Sequence, residues 1–499
     1  MCSASNPYYV PIDHIEFSVL RNKDIKNMSV IKNEPNEPFG ITKTEMTHDG
    51  HNTLLDPRLG TTDTNMHCEK CGLEPTVCPG HYGHTDLAQP MYNYPYASIV
   101  SIIFSVICIR CGKLLIDKKN ENEVKALLNS NIPKKLIIFK LRKILSSVKR
   151  CNRIDVECNA PVPKFKRESV KTKPEFKIIA EYIDEKGNED EGKIGVDIKG
   201  KPKKRIDIID GKKAYNILRI ISDEDFAMMG FDPTKSRPED FIMKTLVIPP
   251  LAIRPSVKTS TTSSTNYEDT LTVKLLEIIN TNNKIRKELD NQHGSEESIN
   301  LQFSTTLLQY SIITFYDNET LSMPKSEQKS SGKPIKSISE RIKGKFGLIR
   351  GAMMGKRVNF SARTVITSDP NISLDELGVP IRIAMLVTIP EKVTPYNIEE
   401  LSVLVKNGTE IYPGANYVIP RQQKSMNKWG WNLKFRKNIK IKPGDIVLRH
   451  MLNGDPTLFN RQPSLHKLSM QCHYANIIND DSLNTFRLNV SATTPYNAD

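Results

Sequence analysis

Two clusters of cysteine and histidine constrain the fold of this 499-residue chain more than any other feature of its sequence. The first cluster has the spacing Cys68-x2-Cys71-x6-Cys78-x2-His81, in which two short pairs offer four ligands to one ion. Thiolates with one imidazole suit Zn²⁺, and four protein ligands leave no open coordination position. The spacing therefore predicts a structural zinc site that fixes the surrounding loops.

A second cluster combines the close pair Cys108 and Cys111 with Cys151 and Cys158 further along the chain. Six residues separate the members of the second pair, which makes that pair less diagnostic of a metal site. Zinc is the favoured interpretation and free thiols are the alternative. Nine cysteines without a recognisable secretory signal fit metal ligands better than disulfides. We therefore expect two Zn²⁺ ions per chain.

An excess of positive charge indicates a polyanionic partner. The chain has 71 Lys and Arg against 57 Asp and Glu, a formal net charge of +14, and nucleic acid is the first candidate for such a partner. Residues 333–363, here called the basic segment, contain nine cations and one carboxylate. Glycines interrupt the segment and allow close approach to phosphates, so a solvated helix is the weaker alternative. The candidate DNA-binding residues are Lys333, Lys336, Lys343, Lys345, Arg350, Lys356, Arg357 and Arg363.

Two runs of apolar residues at helical spacing predict a pair of helices. The first run extends from Leu271 to Leu289 and the second from Ile299 to Phe315. His293 and Gly294 lie between the runs, so the helices should form an antiparallel pair, for which an ordinary core hairpin is the alternative. The longest largely apolar run, residues 97–109, is too short to span a bilayer, and no membrane partner is expected.

Longer motifs surround these features. Their residues are Asp56-Pro57-Arg58-Leu59-Gly60-Thr61-Thr62-Asp63, Cys78-Pro79-Gly80-His81-Tyr82-Gly83-His84, the stretch from Arg350 to Ile366, the stretch from Asp455 to His466, and the stretch from Asn489 to Asp499. Together they resemble the largest subunit of multisubunit DNA-directed RNA polymerases, and the RNA polymerase II type most closely. The last stretch resembles the approach to the family's catalytic Asn-Ala-Asp-Phe-Asp-Gly-Asp loop, of which this sequence supplies Asn497, Ala498 and Asp499.

The resemblance implies template-dependent RNA synthesis from ribonucleoside triphosphates by two-metal nucleotidyl transfer. In the family, the residues matched by Arg461 and Asn497 read the ribose hydroxyls, and the aspartate matched by Asp499 binds Mg²⁺. One aspartate cannot define a magnesium site, so we expect this chain to be inactive by itself. The alternative is a non-catalytic, zinc-dependent nucleic-acid-binding protein derived from a polymerase subunit.

The fold implied by the resemblance is mixed α+β and multidomain, with a zinc-bearing clamp, a helical hairpin and the first part of an active-site β-barrel. The expected divisions are the first part of the clamp core with one zinc site at 1–95, a clamp head or insertion with the second zinc site at 96–235, the second part of the clamp core with lid, helix pair, rudder and switch at 236–358, the start of the active-site region and the dock at 359–450, and the truncated barrel at 451–499.

The resemblance also implies the partners. These are template DNA, nascent RNA, ribonucleoside triphosphates, the second-largest and smaller polymerase subunits, and the remainder of the largest subunit. An intracellular protein is expected: in the nucleus if the source is cellular, and in a cytoplasmic factory or the virion if the source is a large DNA virus.

Overall fold

The computed structural model divides the chain into two compact units, Met1–Met354 (unit 1) and Gly355–Asp499 (unit 2). Both units mix helices with sheets. The structure describes residues 13, 18–33, 35, 38–45, 50–63, 66–75, 77–117, 120–130, 132–151, 158–169, 174–182, 205–258, 266–291, 299–320, 323–328, 332–421, 430–436 and 439–496.

Unit 1 contains helices and short antiparallel sheets. Its helices are α1 (Asn22–Met28), α2 (Ala97–Val106), α3 (Glu121–Leu128), α4 (Lys134–Leu145), α5 (Gly211–Arg219), α6 (Asp223–Met228), α7 (Thr270–Asp290), α8 (Ile299–Tyr316) and α9 (Ile338–Ile342). Its strands are β1 (Gly83–Tyr92), β2 (Lys164–Ser169), β3 (Phe176–Tyr182), β4 (Arg205–Ile209), β5 (Ile242–Ile248), β6 (Val257–Lys258) and β7 (Asn266–Tyr267).

Strands β1 and β5 pair antiparallel at the centre of unit 1, and helices α7 and α8 cover them with apolar side chains. The ladder is interrupted between Asp86 and Met91. Side-chain amides of the helices bond to the strand here: Asn282 accepts from the Ala88 backbone amide within the interruption, and Gln309 accepts from the Tyr92 backbone amide just beyond it, both at 2.8 Å. Because buried backbone groups must be hydrogen-bonded, these two amides tie the helix pair to the interrupted strand.

Helices α7 and α8 run antiparallel, since Ser311 donates to Glu277 while Ser304 donates to Glu288. The intervening residues His293 and Gly294 lie outside the described residues. The apolar spacing of the second run wrongly indicates burial of its first residues. Ile299 and Phe303 are 84% and 68% exposed, although both match the period of the buried residues that follow.

A fully buried guanidinium joins three segments of unit 1. Arg254 donates to the carbonyl oxygens of Pro249 and Leu54 and to the hydroxyl of Thr272 on α7, at 3.0, 2.6 and 3.2 Å. Burial lowers the pKa of Arg254 to about 10. The side chain remains charged at neutral pH, and its hydrogen bonds connect the segment around Leu54, the segment after β5 and helix α7.

Unit 2 contains two sheets. Its strands are β8 (Ile366–Ser368), β9 (Glu376–Pro380), β10 (Thr388–Lys392), β11 (Ala415–Ile419), β12 (Trp431–Asn432), β13 (Ile446–His450), β14 (Pro456–Asn460), β15 (Met470–Ile478) and β16 (Phe486–Leu488). Its helices are α10 (Ile381–Leu386) and α11 (Ile398–Asn407). One sheet has the order β10-β13-β11-β12, and the other has the order β14-β15-β9-β16-β8, in which β9 runs parallel to β15.

His450 at the end of β13 is fully buried and held as a neutral ring. The Gly414 amide donates to Nδ1 at 3.1 Å, and Nε2 lies 3.1 Å from Oδ1 of Asn416. Nδ1 therefore acts as an acceptor and Nε2 carries the proton. Desolvation lowers the pKa of His450 to about 4. Protonation of Nδ1 would also break the hydrogen bond from the Gly414 amide.

Among the described residues, no helix is both long enough and apolar enough to cross a membrane.

We predict that unit 2 loses stability as the pH falls from 6.5 towards about 4, the ordinary and folded pKa values of His450. In that window the unfolded chain binds a proton that the folded chain excludes, so acid lowers the free energy of unfolding. Both tryptophans lie in this unit, at 429 and 431, so their fluorescence during urea unfolding at several pH values measures the effect.

His450→Gln should be destabilised at neutral pH and should lose less stability on acidification than the parent chain. His466, which is exposed, provides the control, because His466→Gln should keep the parent's pH dependence. Equal pH dependence in His450→Gln and the parent would contradict the assignment.

Candidate metal clusters and nucleotide-contacting site

Four side chains of the first cluster converge in unit 1. The ligand atoms of Cys68, Cys71, Cys78 and His81 all lie within 4.8 Å of one another. Sγ of Cys71 is 3.6 Å from Sγ of Cys78, which in turn is 3.8 Å from Nε2 of His81. Tetrahedral zinc with bonds of about 2.3 Å requires sulfur–sulfur separations of about 3.8 Å. The geometry therefore fits one tetrahedral ion.

The second cluster has the same dimensions. Sγ of Cys108 lies 3.8 Å from that of Cys158, and Sγ of Cys111 lies 3.8 Å from that of Cys151. Cys151 is held by its backbone amide, which donates to the Ala160 carbonyl at 2.9 Å and so joins the two arms of the loop. All four predicted thiols come together, and either cluster could hold a zinc ion.

The two clusters begin with the same backbone turn. The amide of Gly72 donates to the Cys68 carbonyl at 2.7 Å, and the amide of Gly112 donates to the Cys108 carbonyl at 2.8 Å. Both glycines have positive φ, 68° and 73°. Residues with a Cβ adopt such backbone angles only with strain. The turn therefore explains why each close cysteine pair is followed by glycine.

The basic segment extends across the boundary between the two units. Arg341 has a structural role, since it donates to the carbonyl of Ile253 and forms an ion pair of 2.6 Å with Asp269 at the start of α7. Lys343 lies 3.8 Å from Asp317. The eight candidate DNA-binding side chains are all exposed: Lys333, Lys336, Lys343, Lys345, Arg350, Lys356, Arg357 and Arg363.

Arg461, the candidate sugar-reading residue, directly follows β14 and is half-buried. Its amide donates to the Ser469 carbonyl at 3.1 Å. At the other end of β14, Arg449 forms a bidentate salt bridge with Asp455, with N–O distances of 2.8 and 2.9 Å. Burial alone would raise the pKa of Asp455, but the bonds from Arg449 and the Leu452 amide lower it. Strand β14 is thus anchored at both ends.

A buried group of rings, here called the aromatic cluster, lies beneath this strand and consists of Phe459, His473, Phe486 and Tyr496. The rings of Phe459 and Tyr496 meet edge to face with centroids 5.3 Å apart. The Tyr496 hydroxyl lies 2.9 Å from Nε2 of His473. Burial raises the pKa of Tyr496 to about 12 and lowers that of His473, so both groups are neutral near pH 7.

Asn497 and Asp499, the other candidate site residues, lie outside the described residues. Tyr496 is their last described neighbour, and it is 3% exposed. The structure therefore describes one arm of the expected nucleotide site, at Arg461, and the residue from which the other arm departs.

Comparison with known proteins agrees with the motifs. Residues 10–353 match the family model described as RNA polymerase Rpb1, domain 1, and residues 355–499 match RNA polymerase Rpb1, domain 2. The chain belongs to the RNA polymerase Rpb1 family. The resemblance found from the motifs is thereby confirmed, and the boundary between the two matches falls where the two compact units divide.

A relative in this family is DNA-directed RNA polymerase subunit 1 of Acanthamoeba polyphaga mimivirus, with which the chain is 42% identical over 499 residues. The alignment covers 98% of this chain and 32% of the relative. The chain thus spans about a third of the length of that Rpb1 relative.

Sequence reasoning did not identify the residues that support the site. Asp455 lies within a quoted motif, but its pairing with Arg449 gives no local signal. His473 and Tyr496 are 23 positions apart and are brought together by strand β15 and the closing 3₁₀ turn, Val490–Tyr496. The local feature that could have pointed to Tyr496 is its position directly before the Asn-Ala-Asp sequence.

We predict that the purified chain holds two zinc ions and that Cys78→Ser lowers the ratio to one, because three remaining ligands bind the first ion much more weakly. Metal analysis by mass spectrometry gives the ratio. The variant should also unfold at a lower temperature, since metal binding contributes to folding. The exposed thiol Cys472 provides the control, and Cys472→Ser should retain both ions. Two ions in Cys78→Ser would contradict the assignment.

Proposed function

We propose that the chain forms the first two domains of the largest subunit of a DNA-directed RNA polymerase, and that it contributes DNA contacts and part of the nucleotide site to RNA synthesis. The match of both compact units to successive Rpb1 domains carries this proposal. The contact between Phe459 of β14, the strand that Arg461 directly follows, and Tyr496, which precedes Asn497, supports it further.

In this proposal unit 1 is the zinc-bearing clamp, with α7 and α8 as its helical hairpin, and unit 2 begins the active-site barrel. The clusters of unit 1 hold structural zinc, since each offers four ligands and no open position. Template DNA, nascent RNA, the other polymerase subunits and the remainder of the largest subunit are the partners. The setting is intracellular, and a viral factory or virion follows if the source resembles the mimivirus relative.

The chemistry is an in-line attack of the RNA 3′-oxygen on the α-phosphorus of a ribonucleoside triphosphate, which breaks the bond from that phosphorus to the bridging oxygen and releases pyrophosphate. Magnesium bound through Asp499 and carboxylates from the rest of the polymerase would stabilise the attacking and leaving oxygens. Arg461 and Asn497 bind the ribose hydroxyls. A deoxyribose leaves these polar groups without a partner, and an unpaired buried polar group weakens binding of the wrong sugar.

The exposed cations of the basic segment contact phosphates of the template without reading its bases. Each phosphate contact releases counterions, so DNA affinity should decrease steeply as salt increases. Flanking glycines such as Gly355 leave open space in which a backbone can approach the duplex.

We predict that charge reversal at Lys356, Arg357 and Arg363 weakens DNA binding on every sequence and flattens the plot of log affinity against log salt by about three. Fluorescence anisotropy of labelled duplexes, measured over a salt series, tests this. Reversal of the exposed cations Lys406, Lys434 and Lys440 changes the net charge equally and provides the control. Equal slopes for the two triple variants would reject the basic segment as the DNA contact.

A second prediction concerns sugar selection by the assembled polymerase. Arg461→Ala and Asn497→Ala should each reduce the preference for ribonucleotides over deoxyribonucleotides by roughly 10²-fold or more, since a bound hydroxyl loses its partner. Single-nucleotide extension with matched ribo- and deoxyribonucleoside triphosphates gives the ratio. The exposed Arg382 in α10 offers a control for loss of an arginine in the same unit, and Arg382→Ala should keep the preference. Unchanged selection in both site variants would overturn the proposed sugar site.

The chain by itself should not extend a primer, since one aspartate does not make a magnesium site. Extension by the purified chain, free of host polymerase, would contradict this.

A further inference from the structure

Two side chains beneath the candidate nucleotide site are joined by a buried hydrogen bond. Nε2 of His473 and the hydroxyl of Tyr496 are 2.9 Å apart, and the residues are 4% and 3% exposed. Nδ1 of His473 is also buried and has no hydrogen-bond partner among the described residues. The Tyr496 hydroxyl is the partner of Nε2, and its loss would leave that nitrogen unpaired, because the ring's other recorded interaction is with the backbone of Asp375.

The same two residues connect both arms of the site. Phe459 packs against Tyr496 at 5.3 Å and against His473 at 6.1 Å, both edge to face. Phe459 lies in β14 two positions before Arg461, and Tyr496 is bonded directly to Asn497. Neighbouring Cα atoms are separated by about 3.8 Å, so the position of Tyr496 limits where Asn497 can begin.

Hydrogen bonding adds direction to this packing. An edge-to-face contact between rings permits rotation and sliding of the phenol at small cost. A bond from the hydroxyl to one imidazole nitrogen restricts the ring in both respects, since hydrogen bonds weaken steeply as the angle departs from linear. His473 is itself fixed in β15, where it pairs with Thr457 of β14.

We propose that His473 and Tyr496 are positioning residues that set the entry of the Asn497–Asp499 segment relative to Arg461. This inference rests on the function proposed for Arg461 and Asn497. In this role neither residue needs to contact the nucleotide or the metal. They act by holding the chain from which the sugar-binding and metal-binding side chains extend.

A positioning role for the hydrogen-bonded pair predicts a different result for the double variant than packing of the rings alone. Tyr496→Phe and His473→Phe each leave one buried polar group unpaired, whereas the double variant replaces both groups with rings of similar size. In the assembled polymerase, each single variant should lose about 10- to 100-fold in ribose-over-deoxyribose preference, because misplacement of about 1 Å costs that much. Each should also require more Mg²⁺ for half-maximal extension. The double variant should recover most of both properties.

Tyr412 provides a matched control in the same unit, because its hydroxyl donates to the Met451 carbonyl at 3.1 Å. Tyr412→Phe removes an equivalent hydroxyl at a distance along the chain from Asn497. It should reduce thermal stability to a similar extent as Tyr496→Phe while leaving sugar preference and the Mg²⁺ requirement unchanged.

The outcomes separate this inference from the proposed function. Sugar preference that falls in Arg461→Ala but not in Tyr496→Phe would overturn the positioning role alone. A double variant as impaired as the worse single variant would also overturn it, since the effect would then follow lost polar groups and not their pairing. Sugar preference unchanged in Arg461→Ala and Asn497→Ala would overturn the proposed site itself.

Discussion

The fold of unit 1 depends on bringing eight cysteine and histidine side chains into two small clusters, each of which could hold a metal ion. Sulfur atoms in the two clusters lie 3.6 and 3.8 Å apart, so thiols that lost their protons there would repel one another unless a cation were bound between them. A metal ion bound at such a cluster would therefore contribute to the folding free energy of the loops that carry it. The first cluster adjoins β1, and β1 in turn supports the long helix pair.

Unit 2 uses a different constraint to shape its site. Its five-stranded sheet joins segments far apart in the chain, with β9 parallel to β15 and β14 antiparallel to β15. This pairing brings the end of β14 and the final 3₁₀ turn onto one group of aromatic rings. The end of β14, which Arg461 directly follows, and Tyr496, the last described residue, therefore share one group of aromatic rings.

Short-range patterns in the sequence predicted the features that depend on neighbouring residues, and did not predict contacts between distant ones. The two clusters were predictable because the short spacing within each close pair and the glycine that follows it encode the turn. The pairing of Cys151 with Cys111 required the fold, as did the buried bond between His473 and Tyr496. Periodicity located both long helices but placed Ile299 and Phe303 on an apolar face that is exposed, because period alone carries no information on where a neighbouring element stops.

The pairing of β1 with β5 has a consequence for synthesis on the ribosome. Gly83 pairs with Ile248. At elongation rates of about 5–20 residues per second, roughly 8–33 s therefore pass between the synthesis of β1 and that of its partner strand. The first metal cluster is complete as soon as His81 has emerged. With zinc at the cluster, as proposed, capture of the ion would order this part of the nascent chain before β1 pairs with its partner strand.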